Sequence, residues 1–466
     1  MNEHNPLRRA FWLGSFDPRP LALFRICFGL AVLQDLADMT RDFRVFFTDG
    51  GMLPRYLPRD WFAWSLFDLV GTPVAVGALY AVGVLSMVAF TVGYRTRVAT
   101  VVSWVWLLSL HNRNYFVTDG GDNLASILLF WSIFADLGGC WSVDAARSGV
   151  PYRAVPAFGL RLLQGHIAGL YFVAARLKVL RGWLHGTAIF ETLQLTGFVR
   201  PLGAWLDGHS SLCSVATYAI LFMEGGFAFV AFSPFWIRPC RAIALAFGLA
   251  IQLGIAMCMR VGIFQQAMLA TCALFVLPEW LDSSRALTKR RRAVAPDTSP
   301  TPMSWKPPLV LYAVVSLQFI VTFWDFFVGR RFPLPTLVKE ERSLLGLEQP
   351  ADLFGTIWEI HHWRAPGVLA DGTQIDVLSV VAPGASPQGP AWKFSRWNKF
   401  TFKEHEHPLP WPTLGPYLCR AFNEAVVGPR LQSFTAIDDL SFPHRPYQPP
   451  VLSPPRVLWQ QSCDIP

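Results

Sequence analysis

Apolar residues in this chain gather into long runs separated by short polar connections, and nine of those runs approach the length that a lipid bilayer demands. A helix needs about 20 mostly apolar residues to cross hydrocarbon, because backbone amides without partners are costly there. The pattern predicts spans near 20–38, 70–92, 98–115, 123–139, 158–177, 212–233, 240–258, 262–278 and 308–327. From about residue 329 the material changes to a stretch rich in Trp, Pro and polar residues, with no further run of that kind. Within it, Asp371-Gly372 sits between two strand-like runs, Val368-Leu369-Ala370 and Thr373 to Leu378. A hairpin follows, with positive φ expected at both turn residues. Thr413 to Ala425 reads as a helix with Thr413 as its N-cap, Leu431 to Ile437 as a strand, and Pro446 to Pro455 as a proline-rich tail. The predicted fold is an α-helical polytopic membrane bundle, eight transmembrane helices plus one, with a small C-terminal α+β extramembrane domain. Its divisions fall at 1–280 for the bundle, 281–307 for a basic linker, 308–328 for the ninth span and 329–466 for the terminal domain.

Composition agrees: hydrophobic residues make up 52% of the chain and charged residues only 15%, a departure from soluble usage in the direction that lipid requires. The net charge of +8 does not indicate nucleic acid, because the basic residues form short clusters at span ends. Those clusters carry topology instead. With Arg8 and Arg9 cytoplasmic, the same side receives Arg95 and Arg97, Arg147 and Arg153, Arg238 and Arg241, and Lys289 to Arg292. Every second loop agrees, as the positive-inside rule requires. Arg8-Arg9 lacks the short apolar core and cleavage site of an export signal and reads as a plain anchor. The expected location is the cytoplasmic membrane, with the terminal domain outside. The eight cysteines include no C-x-x-C, so no metal or redox motif is indicated. Cys419 and Cys463 share the non-cytoplasmic side and can pair.

Ionisable groups inside spans are expensive and each is therefore a candidate for function. Arg25 interrupts the first span, with Asp35 and Asp38 near its far end, and Glu224 lies within the sixth, before Gly225-Gly226. Two readings stand for Arg25 and Glu224: an intramembrane ion pair, or separate pairing with backbone carbonyls and water. In the fifth span Gln164, Ala168, Tyr171, Ala175 and Lys178 recur at helical steps on one face. Lys178 and the following Arg181, Trp183 and His185 read either as site residues or as a snorkelling cation beside an interfacial anchor. The loop His111-Asn112-Arg113-Asn114-Tyr115-Phe116-Val117-Thr118-Asp119-Gly120-Gly121-Asp122 holds the ingredients of a proton-transfer or anion-binding site, or of a structural turn. His405-Glu406-His407 places both imidazoles on one face of a strand, with His361-His362 as partners for a metal; surface histidines are the commoner reading.

Several of these segments together resemble the HTTM (horizontally transferred transmembrane) domain proteins, of which the vitamin K-dependent γ-glutamyl carboxylases are the best understood. The likeness covers about residues 15–280 and rests on Leu23-Phe24-Arg25-Ile26, on Phe47-Thr48-Asp49-Gly50-Gly51-Met52-Leu53-Pro54, and on the His111 to Asp122 loop. It rests also on Trp141-Ser142-Val143-Asp144 and on Tyr171 through Lys178 to Ala188. The resemblance implies a polytopic bundle whose chemistry opens to the non-cytoplasmic side. In the carboxylases a reduced naphthoquinone is oxidised and the strong base so formed removes a γ-proton from a peptide glutamate. That chemistry needs a basic group and a dry cavity. The carboxylases place a catalytic lysine just upstream of this loop; here the chain reads Trp104 to Leu110 and has none.

From these ionisable and motif residues the candidate catalytic set is His111, Arg113, Asp119, Asp122, Lys178 and His185, and the candidate cofactor-binding set is Arg25, Asp49, Tyr171 and Glu224. The cofactor implied is a reduced naphthoquinone, menaquinone or vitamin K. The tail, with Trp358 and Ser395-Arg396-Trp397-Asn398-Lys399, resembles those of uncharacterised bacterial members, some of which take part in maturing secreted peptides. Three readings compete: a protein that binds or modifies a lipid-soluble cofactor or exported peptide, a non-enzymatic maturation or export partner of a secreted peptide, and a transporter. The bilayer is the expected environment, a secreted peptide the expected partner, and nucleic acid is not expected.

Overall fold

The computed structural model describes residues 5–57, 63–150, 152–282, 309–329, 331–348, 359–382, 396–402, 410–444 and 451–463. Outside the described residues lie Trp358, Ser395, His405-Glu406-His407, the first half of the Pro446 to Pro455 tail, and nearly all of the basic linker with Lys289 to Arg292.

Helices occupy all nine predicted apolar runs: α1 (Arg19–Met39), α2 (Pro73–Val92), α3 (Thr96–Arg113), α4 (Gly120–Ser132), α5 (Ala157–Leu180), α6 (Ser210–Ala231), α7 (Ile237–Cys258), α8 (Phe264–Cys272) and α9 (Leu309–Phe327). Five of them, α1, α2, α6, α7 and α9, are long and apolar enough to cross a membrane. Length and composition alone single out these five among the described residues. α3 and α5 have the length but are broken by Arg97, His111 and Arg113 and by Arg161, Arg176 and Lys178, while α4 and α8 have only 13 and 9 residues.

Local signals set the helix ends. Thr72 caps α2 by accepting from the Ala75 amide, with Pro73 in the first turn, and Gly93 closes it at φ +71°. That glycine is required twice over, because a Cβ there would lie 2.6 Å from Arg25 Nη1. α1 is the central helix, with most of its surface covered, whereas α2, α6, α7 and α9 are mostly uncovered. Their open faces carry Val82 and Leu85, Phe222 and Phe229, Leu249 and Leu253, and Leu317 and Ile320. Such faces are anomalous against water and ordinary against lipid tails.

The loops segregate to two ends. At one end Ser15–Phe16 pairs with Val155–Pro156, Phe11 meets Phe232, Arg19 bonds Asp282, and Asp144 receives the Arg95 and Thr96 amides. At the other end the C-terminal region settles on the bundle: Trp64 donates to the Leu344 carbonyl at 3.1 Å, and Gln194 exchanges two hydrogen bonds with the His444 backbone. One continuous hydrophobic cluster runs from Phe24 and Phe28 in α1 to Trp411, Leu418 and Phe434 in the C-terminal region.

That region is built on a sheet of six strands: β1 (Ile360–Arg364), β2 (Pro366–Leu369), β3 (Gln374–Asp376), β4 (Leu431–Phe442), β5 (Val451–Leu452) and β6 (Arg456–Ser462). β4 is the spine, antiparallel to β1 and β2 on one side and to β5 and β6 on the other. The Asp371-Gly372 hairpin forms between β2 and β3, but only Gly372 takes positive φ, at +84°. Two helices flank the sheet, α10 (Arg396–Phe402) and α11 (Trp411–Ala425). Pro410, not Thr413, occupies the N-cap of α11. Pro at the start of a helix spares an amide that has no partner anyway, and the Thr413 hydroxyl instead donates back to the Pro410 carbonyl.

Cys419 of α11 and Cys463 beyond β6 form a disulfide across 44 positions, with Cα atoms 5.5 Å apart. Closing a loop of that length restricts the unfolded chain, so replacing both cysteines by alanine is expected to cost about 2–4 kcal/mol. Thermal unfolding in detergent, followed through the C-terminal tryptophans, checks this; an unchanged transition refutes it.

Candidate functional site

The N-terminus of α4 is made by two carboxylates. Asp119 is its N-cap, accepting from the Gly121 amide at 2.6 Å and the Asp122 amide at 3.2 Å, while the Asp119 amide donates to Asp122 Oδ2 at 2.7 Å. This reciprocal capping box satisfies amides that the helix itself cannot, and places two negative groups at the positive end of the helix dipole. Phe264 at the start of α8 crosses so closely that a Cβ on Gly121 would lie 2.5 Å from its amide.

Three more residues complete a buried cluster. Arg396 of α10 donates through Nη2 to both Asp35 oxygens at 2.8 Å and to Asp122 Oδ1 at 3.0 Å, and through Nη1 to the Val117 carbonyl at 2.9 Å and to Asp122 Oδ2. Trp397 and Phe400 flank it, packed on Phe46 and Phe116. Burial works against the Arg396 charge, but Asp122 and Asp35 outweigh it and raise its pKa. His111, in the last turn of α3, shares a hydrogen bond between Nδ1 and Ser126 Oγ at 3.0 Å and presents Nε2 to Asp122 Oδ1 at 3.5 Å. Neither His111 Nε2 nor Asp119 Oδ2 has a hydrogen-bond partner, although both are buried. Burial and then the Asp122 charge push the Asp119 pKa up. Chemically, the arrangement offers an imidazole and a carboxyl that can exchange protons on either side of a clamped carboxylate.

Beside it, burial works against ionised Asp49, yet its hydrogen bonds from Arg55 hold the carboxyl below the usual range; Arg113 Nη2 stands 3.9 Å away. A second group lies between α5, α6 and α7. Lys178 Nζ bonds Glu224 Oε1 at 2.5 Å with its ammonium 4.7 Å from the Trp183 ring centre, and Gln252 Nε2 donates to the Tyr171 hydroxyl at 3.0 Å. Glu224 Oε2 and Gln252 Oε1 are buried acceptors without a donor. Gln164, Ala168, Tyr171, Ala175 and Lys178 are all buried, so the expected common face of α5 exists and is packed inward.

The Arg25–Glu224 ion pair does not form. Arg25 donates to the carbonyls of Thr91 at 3.3 Å, Leu137 at 2.7 Å and Trp141, at the opposite end of the bundle from the His111 cluster. The last turn of α2 leaves carbonyls open there and carries the negative end of its dipole, so a guanidinium needs no carboxylate. His185 is exposed in its loop, apart from both groups. In the C-terminal region His361 Nδ1 pairs with Asp438 at 2.7 Å. Among the described residues no set of three or more His, Cys, Asp or Glu converges for a metal.

Sequence patterning had not joined Asp35 and Arg396 to the loop. Asp35 carried a signal, a carboxylate in an apolar run; Arg396 carried none beyond its place between Ser395 and Trp397.

Long apolar helices with open outward faces define a multi-pass helical membrane protein. The chain belongs to the HTTM domain family, whose model matches residues 14–280. No solved structure matches it. Asp35, His111, Asp119 and Asp122 fall within the matched residues, while Arg396 comes from beyond them.

Proposed function

We propose that this protein binds or modifies a lipid-soluble cofactor or an exported peptide at the outer face of the cytoplasmic membrane, with His111, Asp119 and Asp122 as the proton-exchanging groups. The observation that carries this reading is the pair of buried atoms without hydrogen-bond partners, His111 Nε2 and Asp119 Oδ2, on either side of Asp122. Buried polar groups are nearly always satisfied by protein or water; two together at a clamped carboxylate favour a site that a substrate completes. The exposed Arg8, Arg9, Arg95, Arg97, Arg147 and Arg238 at the end opposite the C-terminal region support this orientation, since basic residues favour the cytoplasmic side.

The residues present fit a reduced naphthoquinone. Its two hydroxyls are donors, and Glu224 Oε2 and Gln252 Oε1 are buried acceptors in want of one, close to the Tyr171 and Phe227 rings, 4.5 Å apart. Bound there, it would supply the two electrons that reduce dioxygen; the chain itself would supply the acceptors, the exclusion of water and, at Lys178, a cation held by Glu224.

The test is oxygen uptake by the purified protein in nanodiscs with reduced menaquinone or vitamin K. The expected result is saturable turnover that falls about 100-fold in His111→Ala, the scale of a lost general base. Absence of turnover, or turnover indifferent to His111, removes the enzymatic reading. A non-enzymatic peptide partner is the second reading. It is favoured by β6, which pairs with β4 along one side and is exposed or half-exposed along its length, an edge that suits strand addition.

A further inference from the structure

At the end of the bundle opposite the His111 cluster, two arginines are buried without a carboxylate. Arg161 of α5 donates through Nε to the Phe11 carbonyl at 2.9 Å and through Nη1 to Gln164 Oε1 at 2.7 Å. Its Nη2 is buried and has no acceptor. Arg241 of α7 is also buried, at 4% exposure, yet among the described residues its guanidinium meets only ring faces, those of Phe232 and Phe275 at 5.7 Å. Arg161 lies over the ring of Phe11 at 3.5 Å and near that of Phe16 at 5.0 Å. The rings beneath the two cations, Phe11 and Phe232, meet edge to face with centres 6.1 Å apart, which brings both guanidiniums to one aromatic patch.

Aromatic faces recover only part of the desolvation cost of a guanidinium, and here two like charges add their repulsion. Two buried cations on one aromatic patch, with Arg161 Nη2 a buried donor lacking an acceptor, are the inverse of an ordinary buried ion pair, because the missing partner is an anion. Guanidinium forks bind phosphate oxyanions bidentately, adding geometric specificity to charge. The position is informative as well. Trp12 stacks on Phe232, and the neighbouring Phe235 and Trp236 are largely exposed, the arrangement of an aromatic belt at headgroup depth.

We propose that Arg161 and Arg241 form an anion site at this end of the bundle, specific for a phosphoryl group. The site is independent of the function proposed above, since it lies at the other end of the helices. Its chemistry is met by the headgroup phosphate of an anionic lipid or by free phosphate.

The test uses the full-length protein in phosphatidylcholine nanodiscs, alone or with phosphatidylglycerol added, and measures thermal unfolding against inorganic phosphate with chloride at equal ionic strength as control. Arg241→Met is the main variant. It is expected to fold, because an apolar side chain of similar volume in place of a buried charge is neutral or stabilising. Arg161→Gln is the second variant. Stabilisation of the parent by phosphate, with half-saturation at least tenfold weaker in both variants, supports a free-phosphate site. Stabilisation by phosphatidylglycerol alone, with the lipid retained in native mass spectra of the parent and lost from Arg241→Met, supports a headgroup site. No stabilisation by either, or equal stabilisation of parent and variants, overturns the proposal.

Discussion

Arg396→Met is expected to cost about 3–5 kcal/mol of stability, the scale for removing one partner from a buried ion pair. The magnitude follows from what is left behind. Arg396 is the bridge between Asp35 on α1, Asp122 at the start of α4 and the Val117 carbonyl, and it reaches them across 274 and 361 positions of sequence. Without it, two carboxylates face each other with no countercharge in a place that water does not reach. An exposed arginine with the same number of contacts would be worth about 0–1 kcal/mol, so the measurement separates the two cases cleanly. The check is denaturation in detergent, with limited proteolysis reporting release of the C-terminal region. Combining Arg396→Met with Asp35→Asn and Asp122→Asn is expected to recover most of the loss, because the uncompensated charge, rather than the missing side chain, carries the penalty. A cost below 1 kcal/mol, or no recovery in the triple variant, would show that α10 is held by Trp397 and Phe400 alone.

Much of this organisation was legible in the order of residues, and the parts that were not share a cause. Apolar runs located every long helix, since hydrocarbon tolerates little else. They do not separate the five long apolar helices from the others: α4 and α8 are short, and α3 and α5 bury Arg113, His111, Arg161 and Lys178 against partners that periodicity does not reveal. The loop from His111 to Asp122 stood out by composition, and its capping box is a local pattern that three residues encode. Its completion by Arg396 is not local: the arginine arrives from beyond the family domain, where nothing nearby in sequence marks it as buried. The Arg25–Glu224 pairing failed for the converse reason. Opposite charges suggested a bond, whereas Arg25 is satisfied by backbone carbonyls, Thr91 at the end of α2 and Leu137 and Trp141 in the segment after α4, which no charge pattern reveals.

Lys178→Met is expected to destabilise by about 3–5 kcal/mol, whereas Lys178→Met with Glu224→Met is expected to be nearly neutral or stabilising. The pair is buried at the contact of α5 and α6, with Nζ and Oε1 2.5 Å apart, so removing the lysine leaves Glu224 ionised without a partner or forces it to take up a proton. Removing both leaves two apolar side chains of similar length in the same space. The coupling energy from the four proteins of this cycle, read from unfolding in detergent, measures the pair itself. The same double variant divides structure from function. If Lys178 serves only to neutralise Glu224, the double variant folds and keeps whatever binding of reduced naphthoquinone the parent has. If the ammonium or the open Glu224 Oε2 contacts the cofactor, it folds and loses that binding. A double variant as unstable as Lys178→Met would contradict the ion pair, and would place the stabilising role of Lys178 in its contact with the Trp183 ring.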